Sequence, residues 1–187
     1  MIASSKKFKK KLITPIRIFN SYNEQQELFK NIINKKITNT GNGDCLWYSL
    51  LQSSIFPSNI NSPNDARSET VIQILTEYTS PKSYLRRLVN KQDLTKYLNK
   101  INTESNWEDG IDQIGYEIIF YTLSKKYNKC LILLINTNKM NISKIYNKFN
   151  RNRIFIYLST EHYQYCNCND NSFIQDIDIS NFETIMP

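Results

Sequence analysis

The chain reads as a single α+β domain, a small mostly antiparallel sheet flanked by helices. Three observations predict this. Apolar residues recur at i, i+3 and i+4 through the chain up to about residue 127, the spacing of one buried helix face. From Cys130 onward the pattern changes to short β-branched and aromatic runs separated by Asn-rich turns, the spacing of strands. At 187 residues with 40% apolar content, twelve Tyr and nine Phe, the chain fits one domain with a substantial core. Helices gathered in one block and strands in another give α+β.

The elements follow in order. Residues 1–22 form a basic, partly flexible N-terminal segment containing Lys6-Lys7-Phe8-Lys9-Lys10-Lys11, with an extended stretch over Ile13 to Phe19. Asn23 to Lys35 is the first helix, with Leu28, Phe29, Ile32 and Ile33 on one face. A second helix opens at Cys45. Ser62-Pro63 begins a third, Ser62 as cap and Pro63 at its first position. It runs to about Tyr78 and buries Val71, Ile74 and Leu75, and Ser80-Pro81 ends it. Two short helices follow, around Tyr84 to Val89 and Leu94 to Ile101, then a loop over Asn106 to Gly110. Asp112 to Tyr127 is a helix apolar nearly all round, hence central. Strands are expected over Cys130–Asn136, Lys144–Phe149, Arg153–Leu158 and His162–Cys166. The first is a continuous apolar run, the pattern of a strand covered on both faces. The globular unit spans 23–168, and 169–187 is an acidic tail.

Net charge is +7. That permits contact with phosphates, but the Lys and Arg residues are scattered and no aromatic-basic binding motif appears, so no nucleic acid partner is expected. Four cysteines do not make a disulfide scaffold, and Cys166-Asn167-Cys168 is too tight for easy bridging. Zinc would need Cys130, Cys166, Cys168 and a further ligand, so neither metal nor cofactor is expected. The longest apolar run, Cys130 to Ile135, is far too short to span a bilayer, and the N-terminus lacks the apolar core of a secretory signal. A reduced intracellular setting and a monomer are expected. The Lys6–Lys11 run is readable as a nuclear-import signal and, more simply, as a solvated tail. Abundant Asn, Lys, Ile and Tyr read as AT-rich coding bias, common in parasites, intracellular bacteria and large DNA viruses; for such a source the setting is a host cytosol.

The chemistry points to Thr40-Gly41-Asn42-Gly43-Asp44-Cys45-Leu46-Trp47-Tyr48-Ser49-Leu50-Leu51. A turn-forming run delivers a cysteine into the first turn of a helix, where unpaired N–H groups and the positive dipole end favour a thiolate. The backbone of Gly43, Asp44 and Cys45 is placed to form an oxyanion hole. Taken alone, an isolated Gly-x-Cys is better read as a buried cysteine after an Asn-Gly turn. The single histidine, His162, lies far along the chain after a strand-like run. A cysteine at a helix start with a histidine at a strand is the arrangement in which imidazole takes the thiol proton.

These residues resemble a known family. Asn42-Gly43-Asp44-Cys45-Leu46-Trp47 is similar to the Asp-Gly-x-Cys-Leu-Phe signature of ovarian tumour (OTU) domain cysteine proteases, and Glu161-His162-Tyr163 to their histidine motif. Ile114-Gly115-Tyr116-Glu117-Ile118-Ile119 resembles the family's Trp-Gly-x-x-Glu helix, with Ile114 in place of the Trp and an isoleucine in place of the Glu. The likeness covers about residues 25 to 166. It implies a papain-type fold in which 23–168 is the catalytic domain. The implied activity is a deubiquitinase, with Cys45 as nucleophile, His162 as base and then acid, and ubiquitin, polyubiquitin or a ubiquitin-like modifier as substrate. A catalytically inactive ubiquitin-binding module is the alternative, and retention of both Cys45 and His162 argues against it. The family orients its histidine with an Asp three residues before the cysteine or an Asp/Asn two after the histidine. Here those positions hold Asn42 and Gln164. Ubiquitin's tail carries arginines, so Glu108, Asp109 and Glu161 are the expected substrate-contacting acids. Each is also readable as a solvated surface carboxylate.

Overall fold

A computed structural model describes residues 22–40, 43–103, 113–136, 141–159, 162–168 and 183–184. Several expectations lie outside these residues: the basic run Lys6–Lys11, the stretch Ile13–Phe19, Asn42, the loop with Glu108 and Asp109, Glu161, and most of the tail. Among the described residues there are six helices, α1 (Tyr22–Ile33), α2 (Cys45–Gln52), α3 (Pro63–Thr79), α4 (Leu85–Leu88), α5 (Lys91–Asn102) and α6 (Gln113–Lys126). The strands are β1 (Cys130–Asn136), β2 (Asn141–Tyr146), β3 (Arg153–Ser159), β4 (His162–Cys166) and the short β5 (Glu183–Thr184).

The sheet order is β4-β3-β1-β2-β5. Two pairings, β1 with β2 and β3 with β4, are antiparallel, as expected. The sheet is nonetheless mixed, because β3 joins β1 in parallel and β5 joins β2 in parallel. The cause is topological. Three runs that reverse direction twice leave the third parallel to the first, and β3 takes the free side of β1 instead of extending past β2. In the tail, Glu183 and Thr184 add to the β2 edge.

The apolar run of β1 serves two cores. Leu131 and Leu133 face one cluster, with α2 to α6, while Cys130, Ile132 and Leu134 face another, with Leu28, Phe29 and Ile32 of α1. Alternation along a strand does this automatically. The sheet is thus a middle layer, with α1 on one face and the remaining helices on the other. α6 is buried nearly all round through Ile118, Ile119, Phe120 and Leu123, each side chain contributing about 1.5–3 kcal/mol of transfer free energy. Glu117 of α6 and Lys144 of β2 form a buried ion pair at 2.9 Å that pins helix to sheet.

Two sequence expectations shift. Ser62 caps α3 by accepting from Asp65 N, and Pro63 is its first residue, as expected. The inward face, however, is Ala66, Arg67, Thr70 and Ile74, and Leu75 is 45% exposed. β2 lies three residues earlier than the expected Lys144–Phe149. Its register on β1 pairs Asn136 with Asn141 and Leu131 with Tyr146, and Asn147 then turns the chain at φ 57°. Asparagine tolerates that left-handed conformation better than most residues do.

Candidate active site

Gly43 enters α2 at φ 77°, a conformation open to glycine at no steric cost. Cys45 is the first residue of the helix and is 7% exposed. The helical ladder begins with Tyr48 N donating to Asp44 O at 2.9 Å. The peptides preceding and following Cys45 therefore lie at the positive end of the helix dipole.

β4 is an edge strand, and its outer rim is covered by the chain just before α2. Ile37 N donates to Tyr165 O at 2.7 Å and Asn167 N donates to Lys35 O at 3.0 Å, with a bridge between Lys36 and Cys166. One step further along the rim, the Tyr163 N–H donates to Cys45 Sγ at 3.4 Å. The sulfur occupies the position that a carbonyl of another strand would take. This contact sets the nucleophile candidate against Tyr163, the second residue of β4 and the chain neighbour of His162. His162 is half-buried and pairs with Ser159.

The junction is clamped by Asn39. Its Nδ2 donates to Cys45 O at 3.2 Å, Ser49 Oγ at 2.9 Å and Tyr163 O at 3.1 Å. Ser49, fully buried, donates its own proton to Cys45 O at 2.7 Å. One amide thus joins the loop, the first two turns of α2 and the rim of β4.

Gln164 is 8% exposed and pairs with Tyr157. Strand alternation puts it on the same face as His162, while Tyr163 and Tyr165 face the cluster containing Cys45. Asn42, Glu108, Asp109 and Glu161 are outside the described residues, so the structure brings together Cys45, the start of β4 and the Gly43-Asp44-Cys45 backbone. The remaining thiols are poor nucleophiles. Burial pushes Cys130 and Cys166 up to about 12 and Cys168 up to about 11. Burial also raises the Tyr163 hydroxyl, with Tyr116 and Cys45 adding to it. Among the described residues, no group of three or more His, Cys, Asp or Glu is placed to hold a metal ion, and no helix is long and apolar enough to cross a membrane.

Asp44 holds the N-cap position but its side chain caps nothing. It pairs instead with the guanidinium of Arg67 on α3. Arg67 is 1% exposed, donates from Nη1 to Ile101 O and Thr103 O, each at 3.0 Å, and stacks over Trp47 at 5.3 Å. Neither Asn39 nor Arg67 is among the sequence candidates. Asn39 carries no sequence signal beyond a polar loop. Arg67 does: it sits at helical spacing with Val71 and Ile74 on the inward face, where an arginine needs partners.

Neither a family model nor a curated protein matches the chain by sequence. Solved structures do match. The OTU domain of OTUD1 superposes with a TM-score of 0.50 at 12% identity, covering 75% of this chain and 97% of that one. An OTU deubiquitinase from Wolbachia pipientis wMel is similar at a TM-score of 0.49 and 18% identity, over 75% of this chain and 92% of that one. Its ubiquitin-bound structure gives 0.47 at 16% identity, over 70% and 93%. The first of these likenesses shows the fold: the chain has the fold of an OTU domain, with its helices in a block ahead of a small mixed sheet.

Proposed function

We propose that the chain is a cysteine-type deubiquitinase. It hydrolyses the bond after the C-terminal glycine of ubiquitin, polyubiquitin or a ubiquitin-like modifier. The observation that carries this reading is the 3.4 Å hydrogen bond from Tyr163 N to Cys45 Sγ, which sets a helix-start cysteine beside the strand that begins with His162. The OTU fold supports it. So does the condition of the other three thiols, each buried and held protonated well above neutral pH.

His162 takes the Cys45 proton as the sulfur attacks the carbonyl, then returns it to the departing lysine amine. A thioester forms as the C–N bond breaks. Water, deprotonated by the same imidazole, hydrolyses the thioester and regenerates the thiol. The backbone N–H groups of Gly43, Asp44 and Cys45 meet the oxyanion at the start of α2. Asn42 orients the imidazole by accepting its Nδ1 proton, with Gln164 in support. Glu108, Asp109 and Glu161 receive the arginines of the modifier's tail. Charge reversal at all three weakens ubiquitin cleavage more than cleavage of a minimal Gly-Gly ester.

The test is covalent labelling with ubiquitin bearing a thiol-reactive C-terminus. Labelling is expected in the wild type and absent in Cys45→Ala, with weak residual labelling in His162→Ala. Labelling that survives Cys45→Ala overturns the assignment. A wild type that binds ubiquitin without reacting makes the chain a ubiquitin-binding module.

A further inference from the structure

We propose that Arg67 is a positioning residue for Cys45, holding the Asp44 carboxylate off the first turn of α2 and cancelling its charge beside the nucleophile. The inference rests on the reading of Cys45 as the nucleophile.

Asp44 directly precedes Cys45, and its backbone is part of the stretch that meets the oxyanion. The reaction generates negative charge twice there, first on sulfur and then on the carbonyl oxygen. An unpaired carboxylate at that point opposes both. An aspartate at an N-cap ordinarily folds back to accept from the amides of the first turn. Asp44 makes no such bond and reaches Arg67 instead.

Arg67 is fixed by groups outside the site. Its Nη1 donates to Ile101 O and Thr103 O, at the C-terminal end of α5, where the negative end of the helix dipole favours a cation. Its Cζ lies over the ring of Trp47, which belongs to α2 itself, at 5.3 Å from the centroid. Nη2 is left for Asp44. The guanidinium therefore cannot follow a moving carboxylate, and Asp44 is positioned against it. Removing a buried cation from an ordinary structural ion pair costs stability alone. Here the same change also leaves an uncancelled carboxylate on the residue that directly precedes Cys45, so the two roles separate by experiment.

The readout is the rate of Cys45 alkylation by iodoacetamide at pH 7 on the full chain, followed by peptide mass spectrometry. Arg67→Gln is expected to slow it about tenfold. Adding Asp44→Asn to Arg67→Gln restores it to within about threefold of wild type, because the uncancelled carboxylate is gone. Asp44→Asn alone speeds alkylation about threefold, since the guanidinium charge is then unopposed. A purely structural role predicts the reverse for the double variant, which lacks the tie to Ile101 and Thr103 as fully as the single one does. Wild-type alkylation in Arg67→Gln, or a double variant as slow as the single, overturns the proposal. Should Arg67→Gln fail to fold by circular dichroism, Asp44→Asn decides: a faster rate supports the proposal, an unchanged or slower one overturns it. Alkylation needs no ubiquitin, so a wild type unreactive toward the ubiquitin probe counts against the proposed activity and leaves this result intact.

Discussion

Asn39→Ala is the most informative single change at the junction of α2 and β4. The Nδ2 group has two protons for three acceptors, Cys45 O, Ser49 Oγ and Tyr163 O, so it is counted as two bonds, each worth about 1 kcal/mol net. Cys45 O keeps the Ser49 proton at 2.7 Å, whereas Tyr163 O loses this donor. Against that, Asn39 Oδ1 is buried with no partner among the described residues, and its removal returns part of a desolvation cost of about 1 kcal/mol. The balance is a loss of about 1.5 kcal/mol. For a chain of this size that lowers Tm by about 3 to 6 °C, read by thermal melts. Ubiquitin-probe labelling falls further, by about tenfold or more, because small misplacements of reacting groups are costly. An unchanged Tm refutes the energetic account. A lowered Tm with full labelling shows that the clamp serves the fold without serving the site.

Three further outcomes are expected. Burial pushes the thiols of Cys130 and Cys166 up to about 12 in the folded chain from the ordinary 9.0. Their contribution is intact below pH 9 and declines as pH rises from 9 towards 12, by on the order of 1 kcal/mol each at pH 10, and Cys130→Ala lessens the alkaline fall in Tm. Lys144→Met removes the cation that faces the buried Glu117 carboxylate and costs about 3–5 kcal/mol, while the double variant with Glu117→Leu recovers most of it in denaturant melts. On ubiquitin-amidomethylcoumarin, Asn42→Ala lowers turnover more than Gln164→Ala, and Asn42→Asp keeps or raises it; a larger loss from Gln164→Ala makes Gln164 the orienting residue.

Some of this architecture is written locally in the sequence and some is not. The helix at Cys45 and the strand of β1 are each fixed by their own spacing, so both are legible residue by residue. α3 is not. Its apolar residues are few and spread round the helix, so the periodicity puts Leu75 inward, yet it is exposed. What sets the rotation of α3 is Arg67, whose partners lie on α2 and α5, far off in the chain. Asn39 is illegible for the same reason, since its acceptors are on α2 and β4. The mixed pairing of the sheet also escapes local reading, because strand spacing determines which runs are strands and leaves open which side of β1 the third one takes. Cysteine and histidine are found because their chemistry restricts them; the groups that hold them in place are ordinary polar residues.

The bond from the Tyr163 amide to sulfur means that the state of the Cys45 sulfur is written into the backbone of β4. A thiol, a thiolate and a thioester offer that N–H very different electron density. One resonance in an amide spectrum, that of Tyr163, therefore follows the ionisation of Cys45 and, under the proposed activity, its acylation and regeneration, with no label attached to the sulfur. The same amide would also register an oxidised sulfur, so the sheet edge doubles as a spectroscopic window on everything that happens to this atom.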